Sequence, residues 1–208
     1  MFTGLVQGKA RIERVEPVVA SSAAAEGGVR LTLDASQVPG FAAEVGDSIA
    51  LNGACMTATS VQGTRFTVDV SRESLARTAG LDAPGEVNLE TSMRLGDKLG
   101  GHLVSGHVDG IGRVVSVTPA VESWTLVIRA PRALAKYLAY KGSITVDGVS
   151  LTINRVDDHD AGCDFTLNII PHTWQVTTLS RLAPGARVNL EVDLIARYVE
   201  RMQSAPAA

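Results

Sequence analysis

The chain is built from an internal repeat. Four blocks of its first half return in the same order in its second half, and they are residues 4–8 with 106–110, 48–57 with 143–152, 66–70 with 165–169, and 87–90 with 188–191. Repeated units have to be read before anything else because they determine the architecture, and two copies are too few for a solenoid, which needs about three. The repeat therefore predicts two similar lobes.

The length agrees with this division. At 208 residues the chain provides two lobes of about 95 residues, each large enough to bury a core of its own. We expect the first lobe to span residues 1–97, the second 98–191, and a C-terminal helix and tail 192–208.

Most segments have the pattern of short strands. Residues 29–33, 65–70 and 124–128 alternate between Val, Ile, Leu or Phe and polar residues, and glycine-containing turns such as Asp147-Gly148 separate such runs. This spacing is typical of small antiparallel barrels or sandwiches. Each lobe is predicted to be an all-β, closed or nearly closed antiparallel barrel.

A short helix is predicted in each lobe. Residues 131–141 open with Pro131, carry Leu134 and Leu138 on one face and stop at Gly142, and a weaker counterpart covers 36–45. Residues 21–28 are rich in alanine and glycine and are predicted to form a loop.

The C-terminal segment departs from the repeat. Its apolar residues recur at helical spacing, and they are Leu194, Ile195, Tyr198, Val199 and Met202. A helix this short is marginal alone in water, so the stripe has to pack either on its own barrel or on another copy of the chain. Residues 204–208 are expected to fray.

Composition excludes several classes of partner. The net charge of -3 and the aromatic content of 4% offer neither a basic footprint nor stacking platforms for nucleic acid. No apolar run approaches the roughly 18 residues that span a bilayer, and the start of the chain lacks a basic and apolar leader, so we expect a cytoplasmic protein without a membrane partner.

Cys55 and Cys163 occupy unrelated positions in the repeats and are expected to be free thiols.

The repeat places a pair of polar residues in each lobe. Side chains alternate along a strand, so Cys55 and Thr57 share one face while Met56 points to the other, and Ser150 and Thr152 repeat this arrangement. Taken one at a time, the threonines would be interpreted as good strand formers and Cys55 as a small core residue. Their recurrence beside a glycine turn favours two matched polar pockets, one per lobe.

A metal site is disfavoured. His102 and His107 are five residues apart, whereas two ligands on one helix face need a spacing of four and two on one strand face an even spacing.

The repeats differ most where chemistry is expected. The pairs that differ, first lobe against second, are Leu5 against His107, Gly46 against Lys141, Asn52 against Asp147 and Cys55 against Ser150. The second lobe thus carries the titratable side chains of His107, Lys141 and Asp147 where the first lobe has side chains that do not titrate. Histidine is the residue type suited to proton transfer near neutral pH, which singles out His107.

At these residues the sequence resembles the riboflavin synthase family of the alpha-chain type. The blocks that carry the resemblance are residues 1–8, 52–57, 100–110, 141–142 with 147–152, 170–173 and 177–179. Departures are mild, because Ala54, Met56 and Ser74 stand where the family usually has a larger aliphatic residue or cysteine, a leucine and a threonine.

The resemblance implies a fold and a reaction. Each half would be a six-stranded antiparallel barrel with a short helix, and C-terminal helices would hold a homotrimer whose active sites lie between the first lobe of one subunit and the second lobe of its neighbour. Two molecules of 6,7-dimethyl-8-ribityllumazine would be converted to riboflavin and 5-amino-6-(ribitylamino)uracil without a cofactor or metal. Association with lumazine synthase is also implied.

The resemblance also implies site residues. His107 would transfer the proton, Ser150 and Cys55 would act as nucleophile or orienting groups, and Lys141 would steady negative charge. The implied substrate-binding residues of the first lobe are Gly4, Leu5, Val6, Cys55, Met56, Thr57, Asp69, Val70, Ser71, Arg72, Glu73 and Ser74. Those of the second lobe are Gly106, His107, Val108, Lys141, Ser150, Leu151, Thr152, Asn168, Ile169, Ile170, Pro171, His172 and Thr173.

Two other functions compete with this interpretation. The same twin barrel resembles antenna proteins that carry a lumazine and turn nothing over, although such a carrier has no need of Cys55, His107, Lys141 and Ser150. A small-barrel interaction module, such as a nucleic-acid binder, is opposed by the acidic charge and the scarcity of aromatic residues.

Overall fold

The chain folds into two closed six-stranded antiparallel β-barrels, as described by a computed structural model over residues 1–18 and 27–205. The strands of the first barrel are β1 (Gly8–Pro17), β2 (Val29–Asp34), β3 (Ser48–Leu51), β4 (Ala54–Gln62), β5 (Arg65–Val70) and β6 (Gly85–Thr91). Those of the second barrel are β7 (Gly110–Pro119), β8 (Trp124–Ala130), β9 (Ser143–Val146), β10 (Val149–His159), β11 (Gly162–Ile169) and β12 (Arg187–Val192). The all-β fold predicted from the repeat is confirmed.

The two barrels share one topology. The first runs β1-β2-β5-β4-β3-β6 around the barrel, and the second has its six strands in the corresponding order. Register shifts fall at equivalent places, after Ile12 and Val114 in the first strand of each barrel and after Ala58 and Ile153 in the fourth. Bulges bend a strand and increase its twist, so the repeat preserves the points at which each sheet curves to close.

Each barrel has its own core. In β5 the side chains of Phe66, Val68 and Val70 point inward and alternate with more exposed residues, and β11 repeats the pattern with Phe165 and Leu167. This period of two is what a strand with one buried face requires.

Short helices follow the fifth strand of each barrel. They are α1 (Arg72–Arg77) after β5 and α3 (Pro171–Val176) after β11, while α2 (Arg132–Ala135) lies between β8 and β9. Ser71 caps α1 by accepting a hydrogen bond from the Ser74 amide, and α3 begins with Pro171 in its first turn, where a missing N–H costs nothing.

The predicted positions of the helices were partly wrong. Residues 36–45 form turns instead of a helix, because Pro39-Gly40 interrupts the run and Gly40 has a φ of 68°. Within 131–141 only α2 is helical; the Tyr137, Leu138 and Gly142 amides then bond carbonyls three residues back, which gives successive tight turns. The predicted loop at 21–28 lies outside the described residues except for Gly27 and Gly28, and the predicted fraying at 204–208 lies outside them from 206 onward.

The barrels meet through their equivalent turns. Asn52-Gly53 and Asp147-Gly148 both have positive φ at both residues, the geometry of a tight hairpin turn. A Cβ atom on Gly53 would lie 2.7 Å from the Gly148 nitrogen, so only glycine allows the two turns to touch. Across this contact the Asn88 side chain donates to the Asp147 carbonyl and the Asn189 side chain donates to the Asn52 carbonyl, each at 2.9 Å. The junction is thus nearly symmetric.

No helix among the described residues is long and apolar enough to cross a membrane. The last helix, α4 (Leu194–Ser204), begins at the cap residue Asp193, whose carboxylate accepts a hydrogen bond from the Ile195 amide.

Candidate functional site

A cavity of about 210 Å³ opens on the first barrel, between the start of β4, helix α1 and a segment that arrives from the second repeat. Its lining residues are Ala54, Cys55, Met56, Glu73, Ser74, Arg77, Thr78, Gly106, His107 and Val108. Most of these belong to the set predicted from the sequence, and the structure brings residues about fifty positions apart into one site.

The first-repeat wall is the beginning of β4. Cys55 is half-buried, Met56 points into the barrel core and Thr57 is exposed, as the alternation of a strand predicts. Cys55 is a free thiol, and so is the fully buried Cys163 of the second barrel, where burial raises the pKa of the thiol to about 12. A buried thiol with a raised pKa is inert, which leaves Cys55 as the accessible one.

The second-repeat wall is held against Cys55 by its backbone. The Cys55 amide donates to the Gly106 carbonyl at 2.7 Å, and a Cβ on Gly106 would lie 2.7 Å from the Cys55 Cβ. Gly106 also has a φ of 80°, a left-handed conformation that favours glycine. His107 follows it at the mouth of the pocket with an exposed side chain, and Val108 packs on the core of the first barrel.

The second barrel carries the mirror arrangement. The Ser150 amide donates to the Gly4 carbonyl at 2.8 Å, and Val6 packs on the core of the second barrel. Each repeat thus sends its first residues across the junction to the barrel of the other repeat. Leu5 occupies the position equivalent to His107 and is likewise exposed.

Ser150 has a partner that the sequence analysis missed. Its hydroxyl lies 2.8 Å from Nδ1 of His102. Burial lowers the pKa of His102, which favours the neutral imidazole that can accept a proton from a hydroxyl. In the sequence, His102 stood out only as a possible metal ligand beside His107, and its separation of 48 positions from Ser150 hid the contact.

Two pocket residues at the end of α1, Arg77 and Thr78, were also missed. Arg77 lies one turn after Glu73 and pairs with it at 3.3 Å between exposed side chains, and Thr78 follows. Reading 72–77 as a helix would have placed Arg77 on the face of Glu73 and Ser74.

Lys141 makes contacts of its own. Its backbone φ is 63°, its Nζ donates to the Asn154 side chain at 2.8 Å, and it lies 5.4 Å from the centre of the Tyr140 ring. The side chain of Lys141 thus contacts Asn154 and Tyr140.

Some of the other predicted residues lie in the cores or on the surface. Val70 and Ile169 are fully buried in the two barrel cores. Asp69 is paired with Arg30 at 2.7 Å, which lowers the pKa of its carboxyl, and Asn168 accepts a hydrogen bond from Ser123.

The remaining predicted residues lie at the starts of two helices and on β10. Ser71 and Arg72 lie at the start of α1; Ile170, Pro171, His172 and Thr173 lie at the start of α3; Leu151 and Thr152 follow Ser150 on β10.

No group of three or more His, Cys, Asp or Glu side chains in residues 1–18 and 27–205 is arranged to hold a metal ion.

Two barrels of one design, each contacted by a segment of the other repeat, define a protein built from a duplicated β-barrel domain. A family model described as the lumazine binding domain matches residues 3–92 and 105–193, so that it covers both barrels.

Comparison with curated proteins narrows this class. Riboflavin synthase of Mycobacterium tuberculosis (strain ATCC 25618 / H37Rv) is 43% identical in an alignment of 206 positions that covers 97% of this chain and 98% of that protein. Riboflavin synthase of Photobacterium phosphoreum is 40% identical in an alignment of 205 positions that covers 97% of this chain and 88% of that protein. The chain belongs to the riboflavin synthase family, which is a family of enzymes.

Among solved structures, LumP complexed with riboflavin has a TM-score of 0.76 at 24% identity and covers 92% of this chain and 99% of that chain. This likeness concerns the fold.

Proposed function

We propose that the chain catalyses the dismutation of two molecules of 6,7-dimethyl-8-ribityllumazine. One molecule gives a four-carbon unit to the other, and the products are riboflavin and 5-amino-6-(ribitylamino)uracil. Two identical molecules divide their atoms between the two products, so the reaction needs no outside oxidant or reductant.

The observation that carries this proposal is the equivalent placement of Cys55 and Ser150 in the two repeats. Each lies at the start of the equivalent strand, next to a turn from the opposite repeat, with the same backbone hydrogen bond. A reaction between two copies of one substrate needs two sites of similar shape that hold the rings in register. Such positioning can supply an effective molarity of roughly 10⁵ M or more.

The differences between the sites support different roles. We assign proton removal from the C7 methyl group of one substrate molecule to His107, the exposed imidazole of the first-barrel pocket. Ser150 is assigned to nucleophilic addition or orientation at C7 of the partner molecule, with neutral His102 accepting its hydroxyl proton. Cys55 is assigned to orientation of the ligand in the first pocket, and Lys141 to stabilisation of negative charge on a bound ring.

The size of the first-barrel pocket bears on how the substrate sits. Its volume of about 210 Å³ is below the roughly 300 Å³ at which ligand pockets usually begin. We infer that the ring system enters it while the rest of the substrate is covered from outside, as in a site completed by a second subunit.

We propose that α4 provides the contacts between subunits of a homotrimer. Arg197 makes two hydrogen bonds to Asp109 at 2.7 and 2.8 Å, and Glu200 bonds Lys136 and Tyr137, so α4 docks on its own barrel through polar groups. Its apolar stripe is left exposed; the exposed fractions are 65% for Ile195, 62% for Tyr198, 42% for Val199 and 72% for Met202. Covering such an apolar face stabilises an assembly through the hydrophobic effect.

Sedimentation equilibrium tests the trimer. The wild type is expected to give three times the chain mass of 21.8 kDa. Ile195→Asp combined with Tyr198→Asp should give the single-chain mass, and Gln203→Asp, on the same helix, is the control. A wild type that stays at 21.8 kDa would refute the assembly.

Turnover tests the function. Purified protein mixed with the lumazine should produce one riboflavin for every two substrate molecules consumed, followed by absorbance and fluorescence, with chelator present and no nucleotide added. Ser150→Ala is expected to lower kcat by about 100-fold, whereas Ser60→Ala, which removes a surface hydroxyl from β4, should keep it. Stably bound lumazine without product would show a carrier instead, and activity lost to the chelator would show a metal requirement.

Association with lumazine synthase and location in the cytoplasm stay predictions. Co-elution of an equimolar mixture of the two proteins in size-exclusion chromatography tests the first, and cell fractionation tests the second.

A further inference from the structure

A buried carboxylate holds the turn that carries His107. Glu191 of β12 accepts three hydrogen bonds, from the Ser105 amide at 2.7 Å, the Ser105 hydroxyl at 2.6 Å and the Gly106 amide at 3.0 Å. The Glu191 residue is 2% exposed. Hydrogen bonds to a charged acceptor are the stronger ones, so this turn is fixed at the point from which His107 projects.

The first repeat contains the same device. Glu90 of β6 accepts hydrogen bonds from the Thr3 amide and hydroxyl, both at 2.7 Å, and from the Gly4 amide at 3.0 Å. Burial raises the pKa of Glu90 and of Glu191, and in both cases the hydrogen bonds of the turn act in the opposite direction. We call each of these carboxylates with its bound turn a clamp: Glu90 with Thr3-Gly4, and Glu191 with Ser105-Gly106.

Each clamp acts on the pocket of the other barrel. Glu191 stands in the second barrel, yet the carbonyl of the Gly106 that it holds accepts the Cys55 amide of the first barrel. Glu90 stands in the first barrel, and the turn that it holds accepts hydrogen bonds from the Ser150 amide at the Gly4 carbonyl and from the His102 amide at the Thr3 carbonyl. The distance of His107 from Cys55, and the contact between His102 and Ser150, both depend on a carboxylate across the junction.

We propose that Glu191 is a positioning residue for the first-barrel site and Glu90 a positioning residue for the second-barrel site. The proposal rests on the proposed function for its relevance to turnover, but the positioning itself is a property of the unliganded chain. It explains why both carboxylates are buried at a junction where neither touches the pockets directly.

Glutamine is the informative replacement. It keeps the shape of the side chain but turns one oxygen into an NH₂ group, which then faces the N–H of Ser105 or Gly106, or the equivalent N–H of Thr3 or Gly4. Two donors that face each other repel, and the turn moves while the strand that bears the residue keeps its ladder.

Two measurements, one for each site, report on the turns in the absence of substrate. Iodoacetamide alkylation reports the first, because Cys55 lines that pocket and Cys163, the other cysteine, is fully buried. The NMR titration of the His102 ring reports the second, because burial next to Ser150 lowers its pKa.

The two variants should affect opposite reporters. Glu191→Gln is expected to speed alkylation of Cys55 roughly tenfold by loosening the turn that covers it, and to leave the His102 titration in place. Glu90→Gln should move the His102 titration up toward 6.5 and leave alkylation unchanged. Glu13→Gln, a surface carboxylate of the first barrel paired with Arg65, is the control and should change neither.

Any other pattern overturns the proposal: an effect on the barrel that bears the residue, equal effects on both reporters, or no effect on either. Where a glutamine variant does not fold, Ser105→Ala and Thr3→Val each remove one donor from the same clamps and should give the same crossed pattern with smaller changes. A wild type without turnover would refute the proposed function, whereas alkylation and titration would still decide the positioning.

Discussion

Asp147 carries an electrostatic cost that its counterpart in the first repeat avoids. It lies in the turn where the barrels meet and is 6% exposed, and burial raises the pKa of its carboxyl to about 7, against the opposing effect of the hydrogen bond from the Asn189 amide. In the first barrel the same position is Asn52, whose side-chain oxygen accepts the Asn88 amide at 2.8 Å, just as Asp147 accepts Asn189 at 2.8 Å. Asp147→Asn therefore copies a geometry that the fold already uses.

The sign of the effect follows from linkage. Below pH 3.8, the ordinary value for an aspartate, the carboxyl is protonated in both the folded and the unfolded chain, and no penalty arises. As the pH rises from there to about 7, the unfolded chain ionises first, so the free energy of unfolding falls. At about 1.36 kcal/mol per pH unit, this interval gives a loss of up to about 4 kcal/mol above neutral pH.

Urea unfolding from pH 4 to 9 measures this contribution. Trp124 and Trp174, whose rings stack 4.5 Å apart in the second barrel, are the only tryptophans of the chain and report unfolding through their emission. At pH 8 the Asp147→Asn variant should be more stable than the wild type by an amount approaching about 4 kcal/mol, and at pH 4 the two should converge. Asn52→Asp is the matched control and should lose stability as the pH rises. Equal pH slopes for Asp147→Asn and wild type would refute the reasoning.

Three further predictions concern the junction. Gly106→Ala should lower the free energy of unfolding by at least about 2 kcal/mol, because its Cβ would meet Cys55 at 2.7 Å. The control is Gly185→Ala, which has a similar φ of 88° and nothing within 4 Å, so that it bears only the backbone strain. Equal losses for the two variants in urea unfolding would contradict the argument from the contact with Cys55. His102 should titrate below 6.5 in proton NMR, because burial lowers its pKa. The stability that neutral His102 contributes is then lost as the pH falls through the pKa of the folded state. A titration at or above 6.5 would show that the ring is solvated. Asn189→Ala should lower the free energy of unfolding by about 1 to 3 kcal/mol in the same measurement, because it removes the donor to Asn52, and an unchanged value would show that the side chain adds nothing to the junction.

The architecture was readable from the sequence because the repeat preserves what a barrel needs. Strand alternation, glycine turns and the blocks around Cys55 and Ser150 all recur, and local signals of this kind survive without tertiary information. Helices were harder to place. The six-residue α1 and α3 are too short to show periodicity. Apolar spacing favoured helices over 36–45 and 131–141, but Pro39-Gly40 interrupts the first segment and only α2 is helical within the second.

The candidate site was only partly readable for a different reason. Strand position indicates which way Cys55 points, but not which distant segment covers it. Gly106 approaches Cys55 because each repeat crosses to the other barrel, and the contact of His102 with Ser150 joins residues 48 positions apart. Nothing in a local pattern indicates either of these contacts. Arg77 was missed because the helix that carries it, α1, was not predicted.

The crossing also explains how two copies of one design can differ chemically. The bonds that fix each turn on the opposite barrel, from Cys55 to Gly106 and from Ser150 to Gly4, join backbone atoms and therefore do not depend on the side chains of Cys55 and Ser150. Because these backbone bonds form whatever side chain stands at either position, the side chains of the two sites are free to diverge, and Leu5 stands where the other repeat has His107. One frame of backbone bonds and buried carboxylates, Glu90 and Glu191, can therefore carry different side chains in the two repeats.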